Sequence, residues 1–154
     1  MVLDKITMTV LERKLESIAR EMGIIMRRAA RSPIFSQSHD FSCFIGDAQG
    51  QLISIAEGIP VHTGGGGFAI KSALQYWGDD IHPGDVFLSN DPYEGGGNHL
   101  PDWTIMNPVF HDGVLVAFGI VIYSLTVLPF GFGLIAALAA FGMLNSARGS
   151  TFQP

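Results

Sequence analysis

Cysteine and positive charge are both scarce in this chain. Its single cysteine, Cys43, leaves no partner for an intrachain disulfide and excludes a zinc site built on several cysteines. Nine Lys and Arg residues against 14 Asp and Glu residues give a net charge of -5, which argues against general nucleic-acid binding, because that needs a basic surface. Charges at Asp4 and Lys5 interrupt the N-terminus, which lacks the apolar core of a signal peptide. We therefore expect a cytoplasmic protein.

Charge is absent altogether from residues 114–144, and histidine is absent after His111. The uncharged run is long enough to span a bilayer, which takes about 20 apolar residues in a helix. Pro129 and several glycines interrupt the run, however, and its first residues, 114–118, are expected to complete a β-hairpin. A membrane segment is therefore the disfavoured interpretation of this region.

Hydrophobic residues make up 47% of the 154 residues, which is enough for one folded domain with a sizeable core. Residues 5–31 predict a long amphipathic helix, since apolar side chains recur there at spacings of three and four. Its first turn is capped either by Thr9 with Glu12, as a capping box, or by Asp4 at an earlier start. Ser32 precedes a proline, and this pair ends the helix.

Short apolar runs separated by turn residues follow this helix. The predicted elements are a hairpin of residues 41–45 and 51–55, a helix over 68–77, a strand over 86–89 and a second hairpin of residues 104–110 and 114–118. Helices and strands do not alternate regularly along the chain. We therefore predict an α+β fold, with a long N-terminal helix, hairpins and a second helix packed on a mostly antiparallel sheet.

The segment 90–102 concentrates the polar chemistry of the chain. His99 and Asp102 lie three residues apart, and Pro101 between them disfavours a continuous helix, so both side chains are able to converge on one point. An imidazole nitrogen with a carboxylate oxygen suits zinc, manganese or iron. The alternative is a hydrogen-bonded His–Asp pair without a metal. Two protein ligands are too few for a tight site, so a third ligand has to come from elsewhere.

Asp91 and Glu94, in the same segment, are candidate metal ligands or general bases. The competing interpretation is a turn at a strand end, in which Asn and Asp side chains satisfy the local backbone. Glycines follow at positions 95–97, and four more form the run 64–67. The run 64–67 lacks the lysine that follows the glycine of a phosphate-binding loop, so a nucleotide site is disfavoured.

Six short motifs follow one another along residues 27–102. They are Arg27-Arg28-Ala29-Ala30-Arg31-Ser32-Pro33, Asp40-Phe41-Ser42-Cys43 with Asp47-Ala48-Gln49-Gly50, Ile59-Pro60-Val61-His62, Pro83-Gly84-Asp85-Val86, Asn90-Asp91-Pro92-Tyr93 and Gly96-Gly97-Asn98-His99-Leu100-Pro101-Asp102. Together they resemble the N-terminal part of the hydantoinase B family, which includes N-methylhydantoinase and 5-oxoprolinase subunits and the related acetone carboxylase alpha subunits. The resemblance implies a subunit that works beside a hydantoinase A type partner and hydrolyses a small cyclic amide, such as hydantoin or 5-oxoproline, with ATP.

The resemblance also implies cofactors. It makes His99 and Asp102 ligands of a divalent metal, manganese, zinc or similar, and it leaves ATP to the partner subunit rather than to this chain. In the carboxylase branch the substrate is a ketone that gains carbon dioxide, and this activity is the alternative function. The family pattern leads us to expect a third, histidine ligand downstream, yet residues 120–126 contain no histidine.

The same comparison divides the chain. We expect residues 1–119 to be the N-terminal part of a hydantoinase B type domain and residues 120–154 to be a divergent apolar tail, with a reading-frame shift as its favoured origin. The chain alone is then an inactive fragment of an enzyme. Two further interpretations stay open: a small membrane-tethered protein without catalysis, and a degraded gene product without a folded state.

Overall fold

The computed structural model describes residues 4–29, 37, 39–56 and 58–124. Its elements, in chain order, are helix α1 (Lys5–Ala29), strands β1 (Phe41–Asp47) and β2 (Leu52–Ile55), helices α2 (Pro60–Thr63) and α3 (Gly66–Trp77), and strands β3 (Phe87–Ser89), β4 (Asp102–His111) and β5 (Val114–Ser124). These elements confirm the predicted α+β class, and the predicted hairpins are β1–β2 and β4–β5. Residues 125–154 lie outside the described residues, so the interpretations of the tail stay predictions.

The five strands form one sheet in the order β2-β1-β5-β4-β3, and every neighbouring pair is antiparallel. The central strand, β5, runs past Phe118, where we expected the second hairpin to end, as far as Ser124. The reason is that residues 119–123 pair with β1 on one side and with β4 on the other. Both faces of this stretch are buried, and a strand buried on both faces reads as a continuous apolar run without alternation.

Helices cover both faces of the sheet. On one face, Met22 and Met26 of α1 form a buried cluster with Phe41, Cys43, Ile105, Val121 and Tyr123. On the other face, Ala69, Ile70 and Ala73 of α3 form a second cluster with Phe44, Ile81, Met106, Phe118, Ile120 and Ile122. Successive side chains of a strand point to opposite faces, so each strand supplies both clusters. The described part of the chain thus has three layers: helix, sheet, helix.

The structure decides between the two predicted starts of α1. Oδ1 of Asp4 accepts hydrogen bonds from the backbone N–H groups of Ile6 at 2.9 Å and Thr7 at 3.0 Å, as an N-cap does. The Thr9 hydroxyl instead donates to the Lys5 carbonyl at 3.0 Å, inside the helix. α1 therefore starts early, with Asp4 as its cap. Within the described ranges no helix is both long and apolar enough to cross a membrane.

The glycine runs 64–67 and 95–97 pack against each other, which was not predicted. A Cβ added to Gly65 would lie far inside contact distance of the Gly96 carbonyl oxygen, and one added to Gly96 would lie 2.7 Å from the backbone nitrogen of Ala69. Gly96 also has φ of 75°, in the left-handed region that favours glycine. The two backbones therefore meet at a distance that no side chain permits. This contact fixes the loop before β4 on the first turn of α3, which begins at Gly66 rather than at Phe68.

Candidate functional site

The candidate site lies at the end of the sheet where β1 and β4 begin and β5 ends. Asp102 is the first residue of β4, is only 1% exposed, and lies in register with Ser124 of β5. Phe41, the first residue of β1, pairs with Tyr123, one residue away on the same strand. Asp102 shares a strand face with Met106, so its carboxylate lies on the side of the sheet that carries α2 and α3.

His99 and Asp102 meet as the spacing predicted. Nε2 of His99 lies 2.7 Å from Oδ1 of Asp102, and the Asp102 backbone N–H donates to the His99 carbonyl at 2.9 Å, so a tight turn joins the two residues. The His99 side chain is 54% exposed, whereas that of Asp102 is 1% exposed. The pair thus combines a buried charge with an imidazole that reaches solvent. Its contact is a fact of the structure, while its role as a metal site stays a prediction.

A second histidine, His62 of α2, approaches the other oxygen of the same carboxylate. Its Nε2 lies 3.5 Å from Oδ2 of Asp102, and its Nδ1 lies 3.0 Å from the hydroxyl oxygen of Ser42. The amide of Asn98 also donates to Oδ2, at 3.3 Å. Asp102 is therefore held from both sides, by one exposed and one buried imidazole. This group, Ser42, His62, Asn98, His99 and Asp102, is called the Asp102 cluster below.

Sequence reasoning missed His62 and Ser42. Both residues appear in the motifs that carry the family resemblance, but we gave neither of them a place in the site. The available signal was weak: a polar side chain at Ser42 between the apolar residues of β1, on the strand face that Phe44 shares. Nothing local joins Ser42 to His62, which lies 20 residues further along the chain.

Burial sets the electrostatics of His62. Removal from water lowers the pKa of this imidazole below its ordinary value of 6.5, because burial penalises the charged form. The negative charges of Asp102 and Asp40 oppose this effect, and the nearby His99 adds to it. The net direction is downward, so His62 is neutral at neutral pH. A neutral imidazole has one donor and one acceptor nitrogen, and its partners decide which is which.

Asp91 and Glu94, the predicted catalytic candidates, lie in the same loop but outside this group. Both are exposed. Oδ1 of Asp91 accepts from the backbone N–H of Tyr93 at 2.8 Å, and its carbonyl accepts from Gly97 N–H at 3.2 Å, so Asp91 holds a turn. Among the described residues, neither carboxylate belongs to the Asp102 cluster. Their catalytic role stays a prediction.

The donors of His99 and Asp102 fit neighbouring ligand positions on one divalent cation. Two ligands with bonds of about 2.1 Å are about 3.0 Å apart at an octahedral angle and about 3.4 Å apart at a tetrahedral angle, so these two atoms, 2.7 Å apart, would separate slightly around a cation. A third donor is still required. The described ranges contain no group of three or more His, Cys, Asp and Glu residues arranged to hold a metal. In the region where we expected a histidine ligand, Ser124 lies in register with Asp102.

An antiparallel sheet between two helices, with a buried carboxylate between two imidazoles at one end, defines an α+β domain with a polar site at the end of its sheet. The family model described as hydantoinase B/oxoprolinase matches residues 4–124. The chain belongs to this family. The match ends where β5 ends, at Ser124, beyond the expected domain boundary at residue 119.

Several relatives share this part of the chain. It is 40% identical over 119 residues to an uncharacterized protein of Methanocaldococcus jannaschii, covering 75% of this chain and 21% of that protein. It is 40% identical over 116 residues to a 5-oxoprolinase of Dictyostelium discoideum, covering 75% of this chain and 9% of the enzyme. A caprolactamase subunit beta of Pseudomonas jessenii is 36% identical over 113 residues, covering 73% of this chain and 19% of that subunit. The matched region is therefore a small part of each relative's length.

Two solved structures share the fold. The ATP-dependent caprolactamase from Pseudomonas jessenii superposes with a TM-score of 0.74 and 34% identity, covering 82% of this chain and 22% of that chain. A nucleotide-free acetone carboxylase superposes with a TM-score of 0.69 and 25% identity, covering 75% of this chain and 16% of that chain. The two enzymes are named for different ATP-dependent reactions, so the shared fold alone does not select a substrate.

Proposed function

We propose that this chain is the N-terminal part of a hydantoinase B type subunit that acts in the ATP-dependent hydrolysis of a cyclic amide. Its part in the reaction is to bind a divalent cation through His99 and Asp102. One observation carries the proposal: a buried carboxylate has its Oδ1 oxygen 2.7 Å from an imidazole nitrogen whose ring is half exposed. Such a pair offers a charged oxygen and a neutral nitrogen to a cation that arrives from solvent.

The bound cation would polarise the amide carbonyl or activate water. The residues of the chain have separate tasks in this scheme. Asp102 supplies the negative charge that retains a dication, and His99, at the surface, lies where the carbonyl of a ring substrate approaches. The 5-oxoprolinase and caprolactamase relatives support a ring amide as the substrate class.

A partner subunit follows from the same comparisons. A relative that is named subunit beta belongs to an enzyme with another subunit, and the corresponding structure is titled ATP-dependent. We propose a hydantoinase A type partner that binds ATP, and we place no nucleotide on this chain, because Gly65 and Gly67 of its glycine run pack on the backbones of Gly96 and Gly50.

The second candidate function is ATP-dependent carboxylation of a ketone. The observation in its favour is the superposition on acetone carboxylase, with a TM-score of 0.69. Its metal chemistry would use the same two residues. Co-expression with a hydantoinase A type subunit and an ATP hydrolysis assay separate the candidates: 5-oxoproline, hydantoin or caprolactam stimulates the first activity, and acetone with bicarbonate stimulates the second.

Titration calorimetry with Mn²⁺ and Zn²⁺ tests the cation site on the chain itself. We expect weak binding by the wild-type chain, because only two donors are in place, and loss of binding in Asp102→Asn and in His99→Ala. The matched control is His111→Ala, which removes an exposed imidazole that also lies beside an aspartate, with Nε2 3.5 Å from Oδ2 of Asp112. If Asp102→Asn binds the cation as the wild type does, the proposed site is wrong.

A further inference from the structure

Ser42 and His62 form a buried polar pair to which the proposed function gives no task. Ser42 is 0% exposed and His62 is 2% exposed. Gly58 closes over the serine, since a Cβ added to Gly58 would lie 2.6 Å from the Ser42 Cβ. Neither side chain is able to reach a substrate. A Ser–His–Asp hydrolase triad is therefore excluded here, because its serine must attack the substrate.

The backbone occupies one of the two lone pairs of the Ser42 hydroxyl and leaves its hydrogen free. The Ser42 hydroxyl oxygen accepts from the backbone N–H of Ile59 at 2.9 Å. Its own hydrogen is then free to be donated, and the acceptor within reach is Nδ1 of His62 at 3.0 Å. A neutral imidazole carries one proton on its two ring nitrogens. If Nδ1 accepts a hydrogen bond, the proton is therefore on Nε2. Nε2, which then carries the proton, lies 3.5 Å from Oδ2 of Asp102.

The opposite arrangement is unfavourable. A proton on Nδ1 would leave the Nε2 lone pair facing Oδ2 of Asp102 at 3.5 Å, so two acceptors would meet in a buried place. Buried acceptors without a donor carry a desolvation cost that paired ones avoid. The chain of donors therefore runs one way, from Ile59 through Ser42 and His62 to Asp102.

We propose that His62 is a positioning residue: as an Nε2–H donor oriented by Ser42, it holds Oδ2 of Asp102 and leaves Oδ1 directed to the cation beside His99. The proposal rests on the proposed function for the identity of the ligand. Oδ2 also accepts from Asn98, whereas Oδ1 lies 2.7 Å from Nε2 of His99. Fixing one oxygen prevents rotation of the carboxylate, and outer partners of metal ligands typically change affinity 10- to 100-fold.

Two variants of His62 separate positioning from packing. The amide nitrogen of Gln lies as many bonds from Cβ as Nε2 does, so His62→Gln keeps a donor toward Asp102. Asn reaches only the Nδ1 position, so His62→Asn keeps a partner for Ser42 and loses the donor. We expect Mn²⁺ affinity to stay within about threefold of wild type in His62→Gln and to fall about 10- to 100-fold in His62→Asn. Circular dichroism melts verify that both variants fold. Equal affinities in the two folded variants, whether retained or lost, overturn the proposal.

Nitrogen-15 spectroscopy of the imidazoles gives a readout without metal. In the metal-free chain we expect His62 to show the Nε2–H tautomer, and we expect Ser42→Ala to make the two tautomers mix, because Nδ1 then loses its donor. An Nδ1–H tautomer in the wild-type chain overturns the proposal whatever the chain binds. Absence of any Mn²⁺ binding by the wild type sinks the proposed function instead, so the two failures are distinguishable.

Discussion

Replacing Gly65 with alanine tests the contact between the two glycine runs. The new Cβ would collide with the carbonyl oxygen of Gly96, which is backbone and has no rotamer to change. Overpacking a well-packed site typically costs about 1–3 kcal/mol. Alanine also reduces the freedom of the unfolded chain, which offsets about 0.4–1 kcal/mol. We expect a net loss of about 2 kcal/mol, near the upper end, because a backbone segment must move.

Gly64→Ala is the matched control. Gly64 lies next to Gly65, has helical backbone angles of φ −71° and ψ −26°, and an added Cβ there meets nothing within 4 Å. The same chemical change should therefore stabilise the chain by about 0.4–1 kcal/mol. The two neighbouring substitutions should therefore change the free energy of unfolding in opposite directions. A general effect of replacing glycine with alanine would change it in the same direction at both positions.

Thermal unfolding followed by circular dichroism measures both variants. At about 2–4 °C per kcal/mol for a chain of this size, Tm should fall by about 4–8 °C in Gly65→Ala and rise by about 1–4 °C in Gly64→Ala. The loop that carries Gly96 leads to His99, so Gly65→Ala should also weaken Mn²⁺ binding. A Gly65→Ala chain that melts at or above the wild-type temperature would refute the packing of the two runs.

Three further predictions concern the rest of the fold. Cys43 is buried, which raises its pKa to about 12, so an aromatic disulfide reagent at pH 8 should modify it only after unfolding, and fast reaction of the native chain would contradict its burial. Asp4→Ala should reduce helicity by circular dichroism, since α1 loses its cap, while Asp4→Asn should retain it; equal spectra would argue against the cap. Asn107→Leu should cost about 1–2 kcal/mol in urea unfolding, since the Asp85 carbonyl loses its donor at 3.0 Å, and an unchanged midpoint would show that this bond contributes nothing.

The elements of this fold are largely local in origin, which is why the sequence predicts them. α1 follows from a spacing of three and four, and the β1–β2 hairpin follows from two apolar runs around a turn of Gly and Asp. The end of β5 did not follow, because pairing with β1 and β4 decides how far the strand continues. The alternation of apolar and polar residues that marks a strand is lost where both faces of the strand are buried.

In the site, too, the contacts between residues close in the sequence were predicted and those between distant residues were not. His99 and Asp102 are three residues apart, so a turn is enough to bring them together, and their spacing alone indicated the contact. His62 lies 20 residues from Ser42 in the sequence, and α2 brings its ring to the sheet end where β4 begins. No local pattern encodes that meeting. The packing of Gly65 on Gly96 is equally invisible in the sequence, since each glycine run by itself indicates only a permissive backbone.

The sequence by itself determined the family, the α+β class and the His99–Asp102 pair, because each depends on residues close together or on motifs in a fixed order. Only the tertiary structure decided that the two glycine runs form one contact and that a second, buried imidazole holds Asp102 from behind. The physical reason is that both features join residues far apart in the sequence, which the fold brings together on one face of the sheet. Such contacts depend on the path of the whole chain rather than on any one segment of it.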